Sequence, residues 1–199
     1  MARKHQMAAR EVPRPFAAAA LVGLSDDELL DRLSVEHLAR AAYWTLWADA
    51  KTSNEAVRRG LKHPSAHVRA TCCQILDHFL DDSALVDIID CLDDSEPRVR
   101  AWALHTLGCD RCKEGACRPG EQLFLPAAMR MVRNDPSPHV RAIAAETLGR
   151  SSARRDASVV AALTAASEED PNARVRGVAG RYLPAKRSAR KGRRSGGHE

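Results

Sequence analysis

Aromatic residues are scarce: three Trp, two Tyr and three Phe make up 4% of 199 residues. β-Sandwiches and barrels draw on aromatic and β-branched runs, so this shortage argues against them and in favour of small helices packed closely through Ala, Leu and Val. Long apolar runs are missing too, and nothing approaches the ~20 residues that span a bilayer. The nearest stretch, Phe16 to Leu24, is Ala-rich, with Glu11 before it and Ser25-Asp26-Asp27-Glu28 directly after, which argues against a secretory signal. The chain also lacks a Ser/His/Asp arrangement, a phosphate-cradling glycine loop and an H-E-x-x-H pair, so no familiar enzyme class announces itself. Charge of one sign is absent from the middle. Residues 184–199 carry Lys186, Arg187, Arg190, Lys191, Arg193 and Arg194 against Glu199, and residues 1–24 are net +3, which leaves the segment between them at −3 of the total +5. A body that tracks a phosphate backbone would not be net acidic. Six cysteines, mostly clustered, fit thiol or metal chemistry in a reducing compartment, and the expected location is cytoplasmic.

What is present is repetition. His63-Pro64-Ser65-Ala66-His67-Val68-Arg69-Ala70 is echoed by Asp94-Ser95-Glu96-Pro97-Arg98-Val99-Arg100-Ala101, by Asp135-Pro136-Ser137-Pro138-His139-Val140-Arg141-Ala142 and by Asp170-Pro171-Asn172-Ala173-Arg174-Val175-Arg176-Gly177. Four residues after each Val stands a small residue (Cys72, Ala103, Ala144, Ala179), and eight after it a leucine (Leu76, Leu107, Leu148, Leu183). Positions i, i+4 and i+8 share one helical stripe, so each unit reads as a turn and an amphipathic helix, with Asp or Ser as N-cap and Pro near the first turn. Helices over about 53–61, 83–92, 121–133 and 157–168 are predicted to precede these four. The Val-to-Val steps are 31, 41 and 35 residues, and the long middle step marks an insertion at 109–120. A helix pair recurring at this period stacks into an α-solenoid, because each pair alone leaves an apolar face bare.

The Asp-Pro-x-x-x-Val-Arg-x-x-Ala pattern over residues 52–183 resembles the HEAT-repeat family, in the short form associated with phycobilisome lyases. The resemblance implies an all-α solenoid of about four HEAT-like hairpins. It says little about function, since such repeats serve as scaffolds, adaptors and a few enzymes. His63 departs from the pattern where the other turns hold Asp. The family's di-iron hydroxylases need repeated His-Glu pairs, and only Glu36-His37, reversed, sets the two side by side here. Bilin-lyase-like assembly finds no chromophore pocket or nucleophile in the residues, and a HEAT-like DNA glycosylase would need a basic face.

Ahead of the repeats, Ser25 and Glu28 have the capping-box spacing, and helices over about 26–33 and 35–49 are predicted. Tyr43, Trp44 and Trp47 fall on the second, either sealing the solenoid or anchoring a partner. The expected division is a flexible arm (1–24), a solenoid (25–183) and a disordered basic tail (184–199).

The insertion holds Cys109 and Cys112 as C-x2-C, with Cys117 after Gly115 and His105 one helical turn before Cys109. His105, Cys109, Cys112 and Cys117 form a four-donor tetrahedral set for structural Zn²⁺, and a short polar insert needs the folding energy a metal supplies. Arg111, Lys113 and Arg118 would favour thiolates, which equally suits a redox-sensing pair. Unliganded cysteines on a loop are the third reading. The spacing is similar to a zinc knuckle, C-x2-C-x4-H-x4-C, but Cys117 and Gln122 stand at its last two ligand places. Cys72 is expected in the core, and Cys91 is a reserve ligand.

Arg69, Arg100, Arg141 and Arg176 recur once per repeat. They are expected either to pair with Asp94, Asp135 and Asp170 or to line an anion or acidic-peptide groove. The tail cations, Lys186 to Arg194, are expected to solubilise or to bind polyanions such as nucleic acid without sequence preference. The function these features imply is a non-enzymatic scaffold that binds a protein or peptide. The alternatives are a tail-mediated nucleic-acid association and a thiol or metal sensor.

Overall fold

A computed structural model describes residues 19–109, 111, 113 and 117–183. Among these, ten α-helices and no strands occur. In chain order they are α1 (Asp26–Arg32), α2 (Glu36–Asp49), α3 (Glu55–Gly60), α4 (Ala66–Phe79), α5 (Asp82–Asp90), α6 (Pro97–Gly108), α7 (Leu125–Asn134), α8 (Pro138–Arg150), α9 (Ala157–Glu169) and α10 (Ala173–Gly180). Short 3₁₀ turns at Cys91–Asp93, Glu121–Leu123 and Ser152–Arg155 complete the connections.

The helices alternate between two layers. The second helices α4, α6, α8 and α10 lie side by side, each against the next, and α7 and α9 back onto them. The reason is the stripe read in the sequence. Val68, Val99, Val140 and Val175 are fully buried, as are Cys72, Ala103, Ala144 and Ala179. The small residue lets the neighbouring helix approach, and each buried Val or Leu contributes about 1.5–3 kcal/mol from area removed from water. Leu76, Leu107 and Leu148 finish the stripe inside the core. The fourth leucine does not: α10 ends at Gly180, so Leu183 falls beyond the helix in a bend and is only half-buried. At the N-terminal end Ser25 and Glu28 form the reciprocal cap, the Ser25 N–H donating to Glu28 Oε2 at 2.8 Å. Gly60 is where α3 presses against its neighbours, since a Cβ there would lie 2.4 Å from Cys72 Sγ and 2.6 Å from Leu30 Cδ2.

The recurrent aspartates do not cap the second helices, which is a correction to the sequence reading. Ser65, Glu96 and Ser137 hold the N-cap places without a side-chain bond. Asp94, Asp135 and Asp170 sit two residues earlier and brace the turn, each accepting the backbone N–H of the residue two further on at 2.8 Å. Their other contacts run to the preceding repeat. Arg69 donates to Asp94 at 2.7 and 2.8 Å, Arg100 to Asp135 at 2.8 Å through both nitrogens, and Arg141 to Asp170 at 2.7 and 3.0 Å. The remaining guanidinium nitrogen returns to two carbonyls of the arginine's own turn, as in Arg100 to Asp94 and Ser95. Every fork therefore joins its own turn to the next one, in the bidentate geometry to which arginine is suited.

Candidate metal centre

Asp77 lies in the last turn of α4 and is 2% exposed. His105 lies in the last turn of α6, and Cys109 follows at that helix's C-cap, its N–H donating to the His105 carbonyl at 2.8 Å. Because α4 and α6 are neighbours, the three side chains converge: a carboxylate oxygen, a ring nitrogen and a sulfur all lie within 4.8 Å of one another. His105 Nε2 stands 3.5 Å from Asp77 Oδ2. The other oxygen, Oδ1, is buried with no hydrogen-bond partner among the described residues. The Asp77 contact, then Cys109, together outweigh burial and raise the His105 imidazole to about 9. Burial and then the Asp77 charge push the Tyr43 hydroxyl up to about 12.

Of the four ligands expected from the sequence, His105 and Cys109 meet. Cys112 lies outside the described residues. Cys117 turns elsewhere: its N–H donates to the Leu80 carbonyl at 3.0 Å and its thiol to Asp82 Oδ1 at 3.3 Å, so it docks against the start of α5. Burial and Asp82 both raise the Cys117 thiol. Cys91, the reserve ligand, meets the buried Cys73 thiol and not this centre. Asp77 was missed because spacing within an insert says nothing about the neighbouring repeat. The one available signal was a carboxylate directly after the apolar pair Ile75-Leu76. Lys113, expected to favour thiolates, is itself buried, and its ammonium donates to the carbonyls of Thr106 and Cys109, the latter at 2.7 Å. A cation there satisfies the open end of α6 and complements its dipole.

Beside the centre is a cleft of about 330 Å³ walled by Cys109, Arg111, Ile143, Thr147, Arg150 and Arg154. Trp102 stands edge-on to His105, with ring centroids 5.4 Å apart. On α2, Tyr43, Trp44 and Trp47 form a cluster of ring contacts at 5.2 to 5.8 Å, and Trp47 reaches His78 at 4.4 Å and Phe79 at 4.9 Å. Trp44 and Trp47 thus sit on α2 and Trp102 on α6, and all three are half-buried.

Arg69, Arg100 and Arg141 spend their forks on the aspartates, so those three offer no open face to an anion. Among the described residues Arg176 has only its own-turn bonds, to the Asp170 and Pro171 carbonyls at 2.7 and 3.1 Å. The tail cations Lys186, Arg187, Arg190, Lys191, Arg193 and Arg194 lie outside the described residues. No described helix is long and apolar enough to cross a membrane.

No curated protein matches the chain. The sequence model of HEAT repeats matches residues 15–108 and again residues 110–184, taking in the N-terminal helices as well as the four recurrent turns. With that match over most of its length, and with paired helices stacked in two layers, the chain belongs to the HEAT-repeat family, whose members are in general protein-interaction scaffolds.

Proposed function

We propose that this protein is a non-enzymatic cytoplasmic scaffold that binds a protein or peptide partner on the face of its second helices. The observation that carries the reading is the placement of Trp44, Trp47 and Trp102. A chain with so few aromatics puts every tryptophan on α2 or α6, half-buried, where large rigid rings make strong contacts at low entropic cost. The helices α2, α6 and α8 carry both signs at exposed or half-buried positions, Arg40, Arg98 and Arg150 together with Glu36 and Glu146, which suits a polypeptide better than a polyanion. Zn²⁺ is the ion proposed for the centre where the insert begins, with a structural role and with His105 and Cys109 among its ligands. Nitrogen and sulfur donors of this kind favour zinc over the harder cations.

The test is capture from nuclease-treated lysate by the full chain, compared with Trp102→Ala and Trp44→Ala variants whose helicity is unchanged. Proteins retained by the wild type and lost by the variants support the reading. Capture of nothing, or capture indifferent to both substitutions, overturns it.

A further inference from the structure

Resting on the proposal that the chain holds zinc, we infer that Asp77 is a ligand and that the ion staples the first recurrent hairpin to the second, instead of closing the insert on itself. Asp77 comes from α4, while His105 and Cys109 come from the end of α6, so one ion would bridge two repeats.

Three observations carry this. First, Asp77 is 2% exposed, and its Oδ1 has no hydrogen-bond partner among the described residues. A buried carboxylate with a bare oxygen is costly, and a cation held against that carboxylate offsets the cost. Second, the Asp77 Oδ2 to His105 Nε2 separation of 3.5 Å is longer than a good N–H···O contact of about 2.9 Å. It is close to the ~3.3 Å edge between oxygen and nitrogen ligands on a tetrahedral Zn²⁺ with bonds of about 2.0–2.1 Å. Third, Cys117 is held away by its two contacts at the start of α5. The three donors match the mixed nitrogen, sulfur and oxygen set that Zn²⁺ and its spectroscopic substitute Co²⁺ both accept. One further position remains for water.

The site also touches the proposed docking face. Trp102 packs edge-on against His105, so fixing the imidazole fixes the indole. Metal occupancy would thus set the order of the aromatic surface between the first two hairpins.

The experiment titrates the full chain, reduced and metal-free, with Co²⁺, following d–d and thiolate-to-metal absorption, and with Zn²⁺ in competition. One equivalent is expected. Asp77→Asn and Cys109→Ser are each expected to weaken binding by about tenfold or more, as loss of a ligand costs at least what loss of an outer-shell partner does. Cys117→Ser is expected to leave affinity unchanged. Should Asp77→Asn fail to fold, Asp77→Cys serves instead: it is expected to keep the Co²⁺ and to add one thiolate's worth of charge-transfer absorption. Binding that survives Asp77→Asn but not Cys117→Ser overturns the staple and leaves a zinc clip within the insert. Charge-transfer absorption unchanged by Asp77→Cys also overturns the staple. Absence of any bound metal overturns both this inference and the zinc proposal.

Discussion

The Nδ1 atom of His63 accepts the backbone N–H of Ser65 at 3.0 Å, the contact that a carboxylate oxygen makes in the three later turns. The imidazole therefore stands in for Asp as the turn's brace, and its Nε2 is left to donate to Asp31 Oδ1 at 3.0 Å. Among the described residues no arginine forks onto the His63 side chain as arginines do onto the later aspartates. His63→Asp should keep the brace but set two carboxylates against each other. The expected loss is about 0.5–1 kcal/mol in urea unfolding, reduced by added salt because Asp31 is exposed. A substitution that stabilises at low salt would show that Asp31 does not feel position 63.

The arginine forks make a second prediction. Arg100→Ala leaves Asp135, 8% exposed, without its bidentate partner and should cost about 3 kcal/mol. Asp135→Ala strands the guanidinium and also removes the turn brace. The double substitution should cost less than the sum of the two, with a coupling of about 2 kcal/mol in a double-mutant cycle. Additive costs would mean that the fork contributes geometry without energy.

Acid should unfold the array through these same contacts. The Arg141 fork holds the Asp170 carboxyl below the ordinary carboxylate range. For Asp94, burial pushes upward, but the Arg69 fork and the Glu96 N–H outweigh it. A carboxyl depressed on folding contributes stability that is complete above its unfolded value, about 3.9, and is lost as pH falls through the lower folded value. Stability measured in urea should hold near pH 5 and fall away below about pH 4. Arg141→Gln should lessen the acid-dependent loss, because Asp170 then gains less on folding.

Lys113 offers a test of the insert apart from any metal. Lys113→Met keeps the buried stem and removes the ammonium that serves the Thr106 and Cys109 carbonyls. Two carbonyls deprived of a charged donor should cost about 1–3 kcal/mol. Hydrogen exchange at the end of α6 should quicken more than in α8. An unchanged exchange pattern would show that the lysine is a bystander.

The layered fold was legible because it rests on a local period. Val, a small residue and leucine at i, i+4 and i+8 dictate which side of a helix is buried, and the Asp and Arg that recur with them announce a shared turn. The stripe misled only at Leu183, where Gly180 ends the helix first. The centre was half legible. His105 and Cys109 are neighbours along one helix, so spacing brings them together. Asp77 reaches them only through the stacking of α4 on α6, and no pattern within either segment encodes that distance. The part of Lys113 was hidden for a related reason: a lysine among cysteines reads as an electrostatic aid to thiolates, whereas here the chain folds it inward onto two carbonyls.

The forks also give the array a direction. Each guanidinium reaches forward to a carboxylate supplied by the unit that follows, and none reaches back. Arg176 carries the same fork with no carboxylate ahead of it among the described residues, while His63 asks nothing of a guanidinium behind it. A duplicated unit spliced in after residue 183 would meet a ready-made fastening, and one spliced in before residue 63 would not. Lengthening of such a protein by gene duplication is therefore polar, easier at one end than at the other.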